Sequence, residues 1–137
     1  MKEKHNYKRQ GRLNKSNGAD FEKRVRRNLE EDNWIVSKWM NQIDLENNKL
    51  IAAKHKFSGI GRPMSIGTGF PDFVCFKSEG EWFKVIGVES KSNGHLKLIE
   101  RQRIQWLIKN KIFGKILIAK KTKVKNKIVI EYTEIKN

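Results

Sequence analysis

The sequence predicts an α/β domain, a small central sheet with helices packed over it. Three observations lead there. Two segments, 18–32 and 96–113, carry apolar residues at helical spacing, whereas 34–39, 73–76, 82–91, 115–120 and 127–135 are short apolar runs bounded by turn residues. A short sheet leaves an apolar face that helices must cover. The chain has 137 residues, 37% of them hydrophobic, which suits one domain and is too short for two ordinary ones.

Residues 1–17 read as a flexible basic arm, with six Lys or Arg against one Glu. Residues 18–137 read as a single domain. In 18–32, Phe21, Val25 and Leu29 form one stripe, Asp20 is a candidate cap and Asn33 a candidate stop. Trp34–Trp39 reads as a strand. Residues 40–56 are ambiguous between a helix, with Ile43, Leu50 and Ile51 inward, and an irregular excursion. In 57–70, four glycines and one proline in fourteen residues predict a loop. Strands at 73–76 and 82–91 flank a turn at 77–81. The 96–113 helix turns Ile104, Leu107, Ile108 and Ile112 inward and stops at Gly114. Strands at 115–120 and 127–135 enclose a basic turn at 121–126.

Thirty Lys and Arg against fifteen Asp and Glu give a net charge of +15. That points to a polyanionic partner, nucleic acid foremost, because basic side chains displace counterions from a phosphate backbone. No helix pairs a continuous basic face with an apolar one, so a membrane surface is disfavoured. The single cysteine, Cys75, excludes an internal disulfide and reads as a small buried hydrophobe. The basic N-terminus lacks the apolar segment of a signal peptide, so a cytoplasmic location is expected. No Walker A loop, dinucleotide fingerprint or G-x-S-x-G is present. His5, His55 and His95 lack zinc-ligand spacing, and the four tryptophans read mostly as core or dimer-interface residues.

The informative residues are Gly69-Phe70-Pro71-Asp72 and Glu89-Ser90-Lys91. Asp72 opens an apolar strand and Glu89 ends another. Neighbouring strands lie about 5 Å apart, so if these two are neighbours both carboxylates can meet at one sheet end. Glu89 and Lys91 share a face, and Ser90 points the other way. Two carboxylates and the Ser90 carbonyl make a hard oxygen cage suited to Mg²⁺ or Mn²⁺. Lys91 at its edge would steady a water and offset phosphoryl charge. Glu22, bordering the first helix's stripe, can be offered to the same corner; its ordinary alternative is a surface pair with Arg26. Basic residues around it, Lys54, His55, Lys56 and Arg62 in the glycine-rich segment and Lys97, Arg101 and Arg103 on the later helix, are candidate DNA contacts. Lys120, Lys121, Lys123, Lys125 and Lys127 gather at the last hairpin.

With Glu22, Pro71-Asp72, Glu89-Ser90-Lys91, the Gly18-x-x-Phe21-Glu22 helix and Gln102-x-x-x-Trp106, the chain resembles the PD-(D/E)XK nuclease superfamily over roughly 18–120. It is most similar to the archaeal-type Holliday junction resolvases and the small stand-alone VRR-NUC nucleases of viruses. The resemblance implies a restriction-endonuclease-like mixed sheet flanked by helices and a homodimer acting on branched DNA. It implies Mg²⁺ on Asp72, Glu89 and the Ser90 carbonyl with Glu22 assisting, Lys91 supporting the nucleophile, and Gln102 near the site. A nuclease of the same fold in restriction, repair or viral DNA processing is the nearer alternative. A non-catalytic nucleic-acid-binding module or an RNA-structural protein is the farther one.

Overall fold

The computed structural model describes residues 2–53, 55–58, 62–66 and 69–136, with side chains for Gln10, 17–53 and 69–136. Five strands form the central sheet: β1 (Ile35–Lys38), β6 (Phe73–Glu79), β7 (Trp82–Ser90), β8 (Ile116–Val124) and β9 (Lys127–Glu134), in the order β1-β6-β7-β8-β9. Only β7 and β8 run parallel; the other neighbours are antiparallel, so the sheet is mixed. A parallel pair needs a crossover, and α2 (Leu98–Lys109) supplies it.

The helices take opposite faces. Phe21, Val25 and Leu29 of α1 (Lys2–Glu31) bury against Val36, Phe73, Cys75, Ile86, Val88 and Ala119. Ile104 and Leu107 of α2 bury against Ile116, Ile118, Phe70 and Phe113. Each of these clusters follows the strand alternation, in which odd and even residues serve different faces. Cys75 is fully buried, and burial pushes its thiol up to about 12.

Several sequence expectations give way. The backbone of α1 begins at Lys2, so the basic arm continues the helix and Asp20 lies within it. Its end matches: Asn33 takes φ 67, and the Trp34 and Asn33 N–H groups return to the Leu29 and Glu30 carbonyls. Residues 41–52 are not helical. They form the hairpin β2 (Asn41–Asp44) and β3 (Lys49–Ala52), with Ile43 opposite Leu50. Asp44 closes that turn by accepting from the Asn47 N–H, and Trp106 of α2 donates to Asn48, which ties the hairpin to the helix. The glycine-rich segment holds a second hairpin, β4 (His55–Ser58) and β5 (Arg62–Ile66), where the composition predicts a loop. α2 ends at Lys109, with Asn110 as its cap and Lys111 at φ 57, ahead of Gly114. β8 runs through the expected basic turn to a two-residue turn at Lys125 and Asn126, both at positive φ. Trp82, read as a core or dimer-interface residue, is 80% exposed and so lies outside the core. Among the described residues no helix is long and apolar enough to cross a membrane.

Candidate functional site

The Gly69–Asp72 segment is held by close backbone approaches. A Cβ on Gly69 would collide with the Trp39 carbonyl, so only glycine fits. The Phe70 N–H donates to the Asn41 carbonyl, and the Trp39 N–H donates to the Asp72 carbonyl. Pro71, after a cis peptide bond, covers Gly87 of β7, where an added Cβ would lie 2.9 Å from the proline ring. The sequence block thus has a structural reason: it delivers Asp72 to the end of β6, beside the end of β7.

There the two carboxylates interlock. The Asp72 N–H donates to Glu89 Oε2 at 2.9 Å. Asp72 Oδ2 accepts from the Ser90 N–H at 2.9 Å and from Ser90 Oγ at 2.6 Å. Ser90 therefore meets Asp72 as a double donor through its N–H and hydroxyl, atoms other than the carbonyl that the resemblance implies as a metal ligand. The alternation that separates Ser90 from Glu89 holds, yet Asp72 reaches both because it lies at the strand end.

Glu89 is only 7% exposed, and its pKa is pushed up to about 9. Burial is the main cause and the Asp72 charge the next, with Glu100 adding to them; Lys91 and the Asp72 N–H oppose the rise. Glu22 arrives from α1. Its pKa is also raised, by burial first and then by Asp72, while Lys38, 3.7 Å away, pulls it down. Glu22, Asp72 and Glu89 thus form an electrostatically coupled chain, with Asp72 in the middle.

Lys91 shares the corner but is already engaged. Its Nζ lies 2.5 Å from Glu100 Oε2, and Glu100 is 6% exposed. Glu100 also accepts from the Lys97 N–H at 3.0 Å, as the third residue of α2 reaching back to the helix start. Burial works against ionisation of Glu100, but the Lys91 hydrogen bond, the Lys97 N–H and both lysine charges outweigh it, and its pKa is lowered. Sequence reasoning missed Glu100. Its position three residues after the helix start was the available signal, and its pairing across nine residues with Lys91 was not.

The remaining expected residues separate from this corner. Gln102 is exposed, about 200° around α2 from Glu100, so the structure does not bring it to the carboxylates. Lys97 and Arg101 are exposed at the start of α2 and along it, whereas Arg103 lies over the Phe70 ring at 5.8 Å with its Nε buried and unpartnered among the described residues. Arg103 thus stacks its guanidinium on Phe70, beside the Asp72 segment. Lys54 lies outside the described residues, as do the side chains of His55, Lys56 and Arg62.

For a divalent cation the protein offers the Asp72 and Glu89 carboxylates, with Glu22 near Asp72. Among the described residues no group of three or more His, Cys, Asp or Glu side chains converges on one point. Two carboxylates with the other positions left to water and phosphate oxygens match the habit of Mg²⁺. Comparison with family models, curated proteins and solved structures finds no match to this chain.

Proposed function

We propose that this protein is a Mg²⁺-dependent, structure-specific DNA endonuclease of restriction-endonuclease-like fold that hydrolyses phosphodiester bonds in branched DNA, as a Holliday junction resolvase does. The observation that carries this reading is Glu89. A buried carboxylate set against a second carboxylate, in a chain of charge +15, is costly unless a cation is shared between them. A site that perturbs its own acids in this way is where chemistry is expected.

Asp72 and Glu89 would hold the cation, and Mn²⁺ would substitute. A divalent ion there supplies a water activated at neutral pH and charge for the phosphoryl oxygens. Ser90 orients Asp72 through its N–H and hydroxyl, so that this carboxylate presents a fixed lone pair. Glu100 holds the Lys91 ammonium at the edge of the corner, where it can steady a water or offset charge on phosphate. Glu22 places a third carboxylate on the α1 side and is itself balanced by Lys38. A homodimer would present two such corners to opposed strands of a junction.

Labelled four-way junction, flap and linear duplex DNA incubated with pure protein and Mg²⁺ tests the proposal. Paired nicks in the junction are expected. No cleavage of any substrate in Mg²⁺ or Mn²⁺, with DNA binding retained after Asp72→Asn, would establish a non-catalytic binding module instead.

A further inference from the structure

The cations of the β8–β9 hairpin are treated differently on its two faces. On the α2 side, Lys120 pairs with Glu131 at 3.8 Å. On the α1 side, Lys121 and Lys123 stand directly opposite Ile130 and Ile128. Across from them, α1 presents Arg24 and Arg27, three residues apart and so on one side of the helix. None of Arg24, Arg27, Lys121 and Lys123 makes an ion pair with a described residue, whereas Arg26 between them is bound to Glu30 at 2.8 Å.

A groove of about 310 Å³ runs between the two elements, lined by Arg24, Arg27, Asn28, Glu31, Val129 and Ile130. Its walls are fixed, because Tyr132 of β9 donates to Asn28 Oδ1 at 2.7 Å. Burial pushes the Tyr132 hydroxyl up to about 12, so it remains a donor at neutral pH. The groove lies on the β9 side of α1, whereas Glu22 faces Lys38 on the β1 side. Lys121 Nζ lies 5.2 Å from the Phe21 ring, and Glu22 is the next residue. Arg24 and Arg27 follow Glu22 by about 3 and 7.5 Å along the helix axis and by about 200° and 140° around it.

We propose that this groove seats the phosphate backbone of duplex DNA. This rests on the reading of DNA as substrate, and it adds a docking surface on the α1 side, apart from the basic residues of 54–62 and of α2. The complementarity is one of charge: Arg24 and Arg27, without ion-pair partners among the described residues, line the groove with one carboxylate, Glu31, and Lys121 and Lys123 of the adjacent strand add positive charge on the same sheet face. Arg suits such a wall because its planar fork binds phosphate oxygens in pairs.

The test is anisotropy titration of a labelled duplex of about twenty base pairs without divalent ions, at several salt concentrations. Arg24→Gln/Arg27→Gln is compared with Lys84→Gln/Lys109→Gln, which removes the same charge from exposed sites elsewhere. The groove pair should weaken binding more than about tenfold and lower the salt slope by about 1.8, from about 0.9 for each phosphate no longer neutralised. The control pair should change affinity less than threefold, and Arg24→Lys/Arg27→Lys should recover most of the affinity. Equal losses in both pairs would overturn the groove, as would a loss confined to an RNA duplex. Binding, not cleavage, is the readout. DNA held in the groove without cleavage would sink the nuclease reading alone, and cleavage with control-like binding would sink the groove alone.

Discussion

Two glutamates, Glu89 at the end of β7 and Glu100 in the first turn of α2, are the buried charged residues among those described, at 7% and 6% exposure. Their surroundings push them in opposite directions. Glu100 has the Lys91 ammonium and a backbone N–H, and its pKa falls. Glu89 has one N–H and a neighbouring carboxylate, and its pKa rises to about 9. Burial alone therefore does not decide what a carboxylate does. The α2 start is electrically closed and serves as structure. The cation nearest Glu89, Lys91, is taken up by Glu100 and does not offset the burial and the Asp72 charge, and that deficit is what a divalent ion with its bound phosphate fits.

Cleavage gives the largest contrast. Asp72→Asn or Glu89→Ala should lower the cleavage rate by more than about 100-fold, beyond the ~10–100-fold usual for residues that only orient metal ligands. Glu100→Gln should fall within that smaller range, since it acts through Lys91. A cleavage assay in Mg²⁺ at fixed DNA concentration separates the two. Equal losses at both glutamates would erase the distinction between site and support.

Stability should show opposite signs. At pH 8, Glu89 is ionised in the unfolded chain but, with its pKa near 9, largely protonated in the fold; Glu89→Gln removes the cost of that proton uptake and should raise stability by at least ~1.4 kcal/mol, the equivalent of one pKa unit. Glu100→Gln strands the Lys91 ammonium and should cost about 2 kcal/mol, below the usual range for a fully buried pair because Lys91 is partly exposed. The pH dependence follows the same logic. Glu89 is harder to ionise folded than unfolded, so its contribution declines as pH rises from the ordinary 4.5 through about 9. Glu100 is easier to ionise folded, so its contribution is present above the ordinary value and is lost as pH falls through the lowered one. Thermal melts of both variants across pH 4–9 check this; parallel curves would contradict it.

The smallest effect belongs to Gln102. On the solvent side of α2, Gln102→Ala should change cleavage less than about threefold, the scale of an ordinary surface substitution. A drop as large as that of Glu100→Gln would show that the helix face turned to solvent meets the substrate.

Much of the architecture was legible where one local rule decided the outcome. The Phe21-Val25-Leu29 stripe, the Asn33 stop and the apolar runs of β6 and β7 are of this kind. The 41–52 hairpin was not. Ile43, Leu50 and Ile51 stand at spacings of seven and eight, which serve a helix face, yet Ile43 also pairs with Leu50 across the turn at 45–48. Only packing against α2 chooses between them. In the site, the meeting of Asp72 with Glu89 followed from strand adjacency and alternation. The capture of Lys91 by Glu100 and the donation from Ser90 to Asp72 did not, because each depends on side-chain placement between separate elements. The expectation for Gln102 comes from resemblance alone, and the helical phase turns it away.

Manganese binding to the folded protein at pH 8, measured by calorimetry on wild type beside Glu89→Gln, tests the central claim most directly. Wild type should take up Mn²⁺, and the variant, isosteric but uncharged, should bind it at least tenfold more weakly. Undiminished uptake by Glu89→Gln, or none by wild type, would contradict a cation shared between Asp72 and Glu89.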